Sequence, residues 1–120
     1  MLKKYEILED QFIIFDGVTL YRIQALVDFA DIKKGDIGGW IEKESNLSQT
    51  GSCWVYDNGK VYNGSKICDN VEVRKSAIVN NGNIICGENI ITDHTIVGRP
   101  ESFHLYGNAK FDLEEAKKIL

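Results

Sequence analysis

The sequence predicts an all-β chain wound into a parallel solenoid, and three observations carry that prediction. The first is a column of β-branched aliphatics: Val55, Val61, Ile67, Val73, Val79, Ile85, Ile91 and Val97 recur at a fixed spacing of six residues. The second is the material between them. The pairs Asp57-Asn58, Asn63-Gly64, Asp69-Asn70, Asn81-Gly82 and Asp93-His94 are residues that tolerate a left-handed backbone and make corners. The third is composition. Hydrophobic residues make up 43% of the chain, enough for a packed core, and a single proline against 11 glycines leaves the turns to Gly, Asn and Asp. A six-residue unit is too short for a helical repeat but fits a short strand plus a corner. Repeating it coils the chain so that the aliphatic column lies inside.

This unit resembles the hexapeptide repeat of left-handed parallel β-helices, and the resemblance implies that fold, with three units making a triangular coil of about 18 residues. On that arrangement the inward columns are Val55–Val73–Ile91, Val61–Val79–Val97 and Ile67–Ile85. The period slips at both ends. Ile41, Leu47 and Cys53 are spaced by six, but Val55 follows Cys53 by two. Leu105 follows Val97 by eight, and Phe111 follows Leu105 by six. A two-residue insertion around Gly98-Arg99-Pro100-Glu101 would form a protruding corner loop, with one more partial turn from His104 to Phe111.

The ends read differently. Gln11–Phe15, Asp16-Gly17 and Val18–Leu26 form a β-hairpin around an Asp-Gly turn, and Lys3–Leu8 offers a third strand. Tyr21, Ile23 and Ala25 alternate with Leu20, Arg22 and Gln24, as in a half-buried strand. Residues 112–120 predict a short helix, with Asp112 as N-cap, Glu114-Glu115 in the first turn and Lys117-Lys118 in the last. The chain is thus expected as one domain, 1–120. Residues 1–36 form a hairpin cap, 37–111 the coils and 112–120 a capping helix. An open solenoid needs such covers, because bare edges template aggregation.

Several segments resemble the leader of phage- and prophage-associated hexapeptide-repeat proteins, a group that includes an enterobacterial protein catalogued as a transferase. They are Tyr21-Arg22-Ile23-Gln24-Ala25-Leu26, Gly38-Gly39-Trp40-Ile41, Asn46-Leu47-Ser48-Gln49 and Cys53-Trp54-Val55-Tyr56-Asp57-Asn58. Runs like "YGNAKVYGNA" follow the leader in that group. The echoes here are Asp57-Asn58-Gly59-Lys60-Val61-Tyr62 and Tyr106-Gly107-Asn108-Ala109-Lys110-Phe111. The resemblance implies a left-handed β-helix of phage or prophage origin.

Charge and cysteine content narrow the function. Fourteen Lys and Arg against 18 Asp and Glu give a net charge of −4, which argues against a nucleic-acid or anionic-membrane partner. No apolar run approaches a membrane span and no secretory leader is read at the N-terminus, so the chain is expected in the cytoplasm. Three cysteines without a CxxC spacing form neither a disulfide framework nor a metal ribbon, and no metal site is expected. Cys68 and Cys86 stack one coil apart and are expected as free thiols, while Cys53 points inward.

The outward positions carry the candidate sites. Trp54, Tyr56, Tyr62 and Tyr106 point outward by parity, interleaved with Lys60 and Lys66. They make either a binding face or a surface beneath the caps. The outward residue before each column position changes from Trp54, Lys60, Lys66 and Glu72 to Ile78, Ile84, Ile90 and Ile96. Isoleucine on every face of the later half predicts an interface with another subunit, as homotrimer or homodimer, or with a host protein. The expected function is a small, self-associating, non-catalytic binding or scaffold protein that needs no cofactor and could block a host protein.

The alternative implied by the resemblance is an acyltransferase that uses acyl-coenzyme A. His94 or His104 would then be the general base, and His104 could line a groove with Arg99. For His94 the plainer reading is a solvent-exposed corner, and for His104 a polar residue beside a strand. Asp57, Lys75 and Asp93 occupy equivalent corners with alternating charge.

Overall fold

The computed structural model describes residues 3–93 and 95–98 in full, and 104–105 and 110–111 by their backbone. Two long antiparallel strands, β1 (Tyr5–Phe15) and β2 (Val18–Ala25), lead into β3 (Ile37–Ile41) and a single 3-10 turn at Glu44–Asn46. Ten two-residue strands follow. They are β4 (Trp54–Val55), β5 (Lys60–Val61), β6 (Lys66–Ile67), β7 (Glu72–Val73), β8 (Ile78–Val79), β9 (Ile84–Ile85), β10 (Ile90–Ile91), β11 (Ile96–Val97), β12 (His104–Leu105) and β13 (Lys110–Phe111).

These strands stack as three parallel sheets, one per side of the coil. The orders are β3-β5-β8-β11, β4-β7-β10-β13 and β6-β9-β12. The chain is a left-handed parallel β-helix of about three turns. Each predicted column is a ladder: Val55, Val73 and Ile91 align, as do Val61, Val79 and Val97, and Ile67 and Ile85. All of these residues are buried. Rung-to-rung hydrogen bonds continue past the short strands, as from Tyr56 N to Val73 O at 2.7 Å and Ile78 N to Thr95 O at 2.9 Å.

The corners explain the period. Asp57, Asn63, Asp69, Lys75, Asn81, Gly87 and Asp93, each two residues after a column position, all have positive φ. Asp, Asn and Gly accept that region at low cost. Lys75, at φ 56°, is the one of these seven that is not Asp, Asn or Gly; its ammonium lies 3.1 Å from Asp93 Oδ1 on the next coil.

The first period slip is accommodated at a corner. Ile41 aligns with Val61 and Leu47 with Ile67, so the first coil carries two extra residues between Leu47 and Val55. Val55, not Cys53, holds the third column of that coil, while Cys53 is buried at the widened corner. After Val97 the coil resumes with Leu105 on Ile85 and Phe111 on Ile91, as the predicted insertion requires. The insertion itself and the predicted helix at 112–120 lie outside the described residues.

The N-terminal cap corrects one expectation. Lys3–Leu8 is not a separate third strand: Tyr5–Phe15 is one strand, with a register shift between Leu8 and Phe12 where it pairs with β2. A second irregularity, between Arg22 and Gln24 against β3, shifts the parity of β2. Leu20 and Ile23, three apart, are therefore both fully buried, where strict alternation would expose one of them.

β3 is the junction. It pairs antiparallel with β2 on one side and parallel with β5 on the other, joining hairpin and solenoid into one six-stranded sheet. Gly38 and Gly39 permit this close passage. A Cβ at Gly38 would stand 2.7 Å from Trp54 Cζ2 and Ile23 Cγ1, and one at Gly39 would stand 2.6 Å from Gly59 O and Val55 Cγ1.

Candidate functional site

The outward aromatics of the first coils lie under the N-terminal cap. Trp54, 1% exposed, meets Tyr5 and Phe29 edge-on at ring-centroid distances of 6.2 and 5.3 Å. Tyr56 donates from its hydroxyl to Asp31 Oδ1 at 2.8 Å, with the Arg74 guanidinium 3.8 Å from its ring centroid. Burial and the bond to Asp31 push the Tyr56 phenol up, and the same bond holds the Asp31 carboxyl below its ordinary value. Tyr62 packs edge-on to Phe15 at 6.1 Å and is 1% exposed. Trp54, Tyr56 and Tyr62 therefore form no open binding face; the hairpin and residues 28–32 occupy it. Tyr106 lies outside the described residues.

Two cap side chains are tied into the widened first corner. The Lys4 ammonium is buried and donates to Cys53 O at 2.7 Å and Gly51 O at 3.3 Å, with Cys53 Sγ also at 3.3 Å. Burial pulls this amine down and pushes the Cys53 thiol up. The Tyr5 hydroxyl donates to Leu47 O at 2.6 Å and lies 3.0 Å from Glu44 O. These groups are spent on holding the cap.

The isoleucine positions remain outward and uncovered to different degrees. Ile78, Ile84 and Ile90 are half-buried and Ile96 is 48% exposed. Ile84 lies between Lys66 and His104 on one side of the coil, and Ile90 between Glu72 and Lys110 on another. The structure fixes His104 by backbone alone, and His94 and Arg99 lie outside the described residues.

Cys68 and Cys86 are joined as a disulfide, where free thiols were expected. Their Cα atoms are 4.8 Å apart on neighbouring rungs with both side chains on one side, a separation a disulfide spans. Asp69 stands beside them, the three potential ligand atoms lying within 4.8 Å of one another. The bond commits both sulfurs.

The hairpin tip makes a cleft on the β5-β8-β11 side. Phe15 and Asp16 overhang Tyr62, Ile78, Asn80 and Ile96, enclosing about 320 Å³. Asp16 and Gly17, with φ of 56° and 74°, form the tight turn that the Asp-Gly pair predicts. Tyr62 Oη donates to Asp16 Oδ2 at 3.2 Å and accepts from Asn80 Nδ2 at 3.1 Å. Asn80 Oδ1 is buried without a partner among the described residues. A Cβ at Gly98, one rung on, would collide with that oxygen. A larger hollow of about 420 Å³ lies around Glu44, Leu47, Gln49 and Lys66; there Gln49 Oε1 accepts Lys4 N at 2.8 Å, and Glu44 pairs with Lys3 at 3.3 Å.

Phe15, Asp16, Asn80 and Gly98 were not singled out from the sequence. The stacking of Tyr62, Asn80 and Gly98 was readable, since they are spaced by one coil. The arrival of Asp16 above them depends on how the hairpin folds over.

No known family profile matches the chain. It is similar to the uncharacterized acetyltransferase YdcK of Escherichia coli (strain K12), 31% identical over 106 residues, which cover 82% of this chain and 32% of that protein. The chain thus spans about a third of the curated relative it matches. This similarity and the solenoid both fit the hexapeptide-repeat proteins. Among the described residues no helix is long and apolar enough to cross a membrane.

Proposed function

We propose that the chain is a non-catalytic binding and scaffold module that self-associates through the outward isoleucines of its later coils. One observation carries the reading: the cap covers the outward aromatics of the early coils, yet Ile78, Ile84 and Ile90 remain only half-buried and Ile96 stands 48% exposed. Isoleucines on several sides of one small solenoid are better matched to a second copy than to water. The resemblance to phage-associated proteins extends the proposal to a phage or prophage origin, with a host protein as the alternative occupant. Light scattering on a size-exclusion column tests it. The wild type should exceed the 13.5 kDa of one chain, as dimer or trimer, and Ile84→Glu should dissociate it. A wild type that runs at one chain mass would sink self-association.

A second reading, acyl transfer from acyl-coenzyme A, is favoured by the name of the E. coli relative. His104, placed beside Ile84 by strand pairing, and His94 are its candidate bases. Acetyl-coenzyme A consumption with amine or hydroxyl acceptors, lost in His104→Ala or His94→Ala, would support it. No turnover above the buffer rate would remove it.

A further inference from the structure

We infer that the cleft under the hairpin tip binds a small primary ammonium compound, with its charged end at the Asp16 carboxylate and its alkyl part on Ile78, Ile96 and Phe15. The inference rests on the binding-module reading and gives it a ligand class. The cleft is at the small end of ligand sites, suited to a short alkyl body. Its walls are two isoleucines and two aromatic rings, and its charged group is a carboxylate. The carboxylate selects a cation over an anion or a neutral group.

The hydrogen-bond network points the same way. The Tyr62 proton goes to Asp16 Oδ2 and the Asn80 amino group goes to Tyr62, so Asp16 Oδ1 accepts no hydrogen bond among the described residues and is left for an incoming ammonium. Lys60, which lies 4.8 Å from the Phe15 ring centroid, is engaged with Asn58 O at 3.1 Å and is not part of the lining.

Amide chemical shifts of the labelled full chain, titrated with n-butylammonium chloride, test the proposal, with n-butanol and sodium butyrate as neutral and anionic controls. Butylammonium should shift the Asp16, Tyr62, Asn80 and Gly98 amides saturably, and the two controls should not. Asp16→Asn keeps the positive-φ turn, because asparagine suits it, and should weaken binding by about tenfold or more. Glu9→Gln, on the same hairpin but outside the cleft, should leave the affinity unchanged. Equal shifts with butyrate, an unaffected Asp16→Asn, or an equal loss in Glu9→Gln would overturn the site. The Ile84→Glu mass measurement uses no cleft residue, so failure of this site and failure of self-association are read separately.

Discussion

The first coil and the third are built from the same six-residue unit, yet their outward faces meet opposite ends. Around the first, Trp54, Tyr56 and Tyr62 are sealed beneath Tyr5, Phe29, Asp31 and Phe15. Around the third, Ile84 and Ile90 carry no such cover from the cap. The inward positions are alike in both, all buried aliphatics in register. The repeat therefore dictates the core, and what lies over the outer surface is decided by the segments that do not repeat. Aromatic side chains with polar tips suit the capped end, because each tip finds a partner: Tyr56 has Asp31 and Tyr62 has Asp16.

The contrast can be broken at its strongest point by Trp54→Ala. This outward residue behaves as core, so the change should cost about 3–5 kcal/mol in urea unfolding and loosen the cap, read as faster proteolysis within residues 1–36. A loss below about 1 kcal/mol would mean that the cap is not seated on Trp54.

The neighbouring pair Ile85 and Ile84 sharpens the comparison within one strand. Ile85→Ala should cost about 2–5 kcal/mol, and Ile84→Ala in the dissociated chain less than about 1. Equal costs would mean that the outer face of the third coil is covered after all. Gly39→Ala probes the junction: its Cβ would press on Gly59 O and Val55 Cγ1, and about 1–3 kcal/mol of overpacking should appear as a lowered urea midpoint.

The cap end should also carry an alkaline signature. Tyr5, Tyr56 and Tyr62 have phenols raised above their ordinary value of 10.0, chiefly by burial. A folded pKa above the unfolded one gives stability that is complete below pH 10 and lost as the pH rises through the folded value. With Tyr21 and Tyr106 replaced by Phe, tyrosinate absorbance near 295 nm should therefore rise late and together with unfolding of the cap. An early, independent rise would contradict these hydrogen bonds. The smallest effect is expected at the Lys75 corner. Lys75→Asn exchanges a lysine for a residue that accepts φ of 56° and gives up only an exposed ion pair with Asp93, so stability should rise by about 0.5 kcal/mol. A fall of similar size would show that the ion pair outweighs the backbone strain.

The fold was legible because two periods agreed. Aliphatics every six residues set the ladders, and Asp, Asn and Gly two positions later set the corners. Lys75 has no turn preference of its own, and its corner is legible only from its place in the stack between Asp57 and Asp93. The half-buried strand was read with strict alternation, and the irregularity between Arg22 and Gln24 altered the parity. Less of the candidate site was legible. Parity separates inward from outward, but it is silent on what rests upon an outward residue. Lys4 at Cys53, Asp31 at Tyr56 and Asp16 at Tyr62 join positions dozens of residues apart, and no local pattern encodes them. The Cys68–Cys86 stacking is visible as an 18-residue spacing, but spacing does not tell two stacked thiols from the bond that the 4.8 Å separation allows.

The junction strand β3 has a consequence for length. Because its parallel edge meets only β5, and the hairpin tip reaches no further than Ile96 among the described residues, the terminal hairpin need not register how many turns follow. Duplicating one full period beyond the cleft, residues 81–98 for example, would insert a storey of about 4.8 Å without a new contact at the closed end. The molecule is a staircase with a fixed landing, and its height is a quantity that gene duplication can change in whole steps.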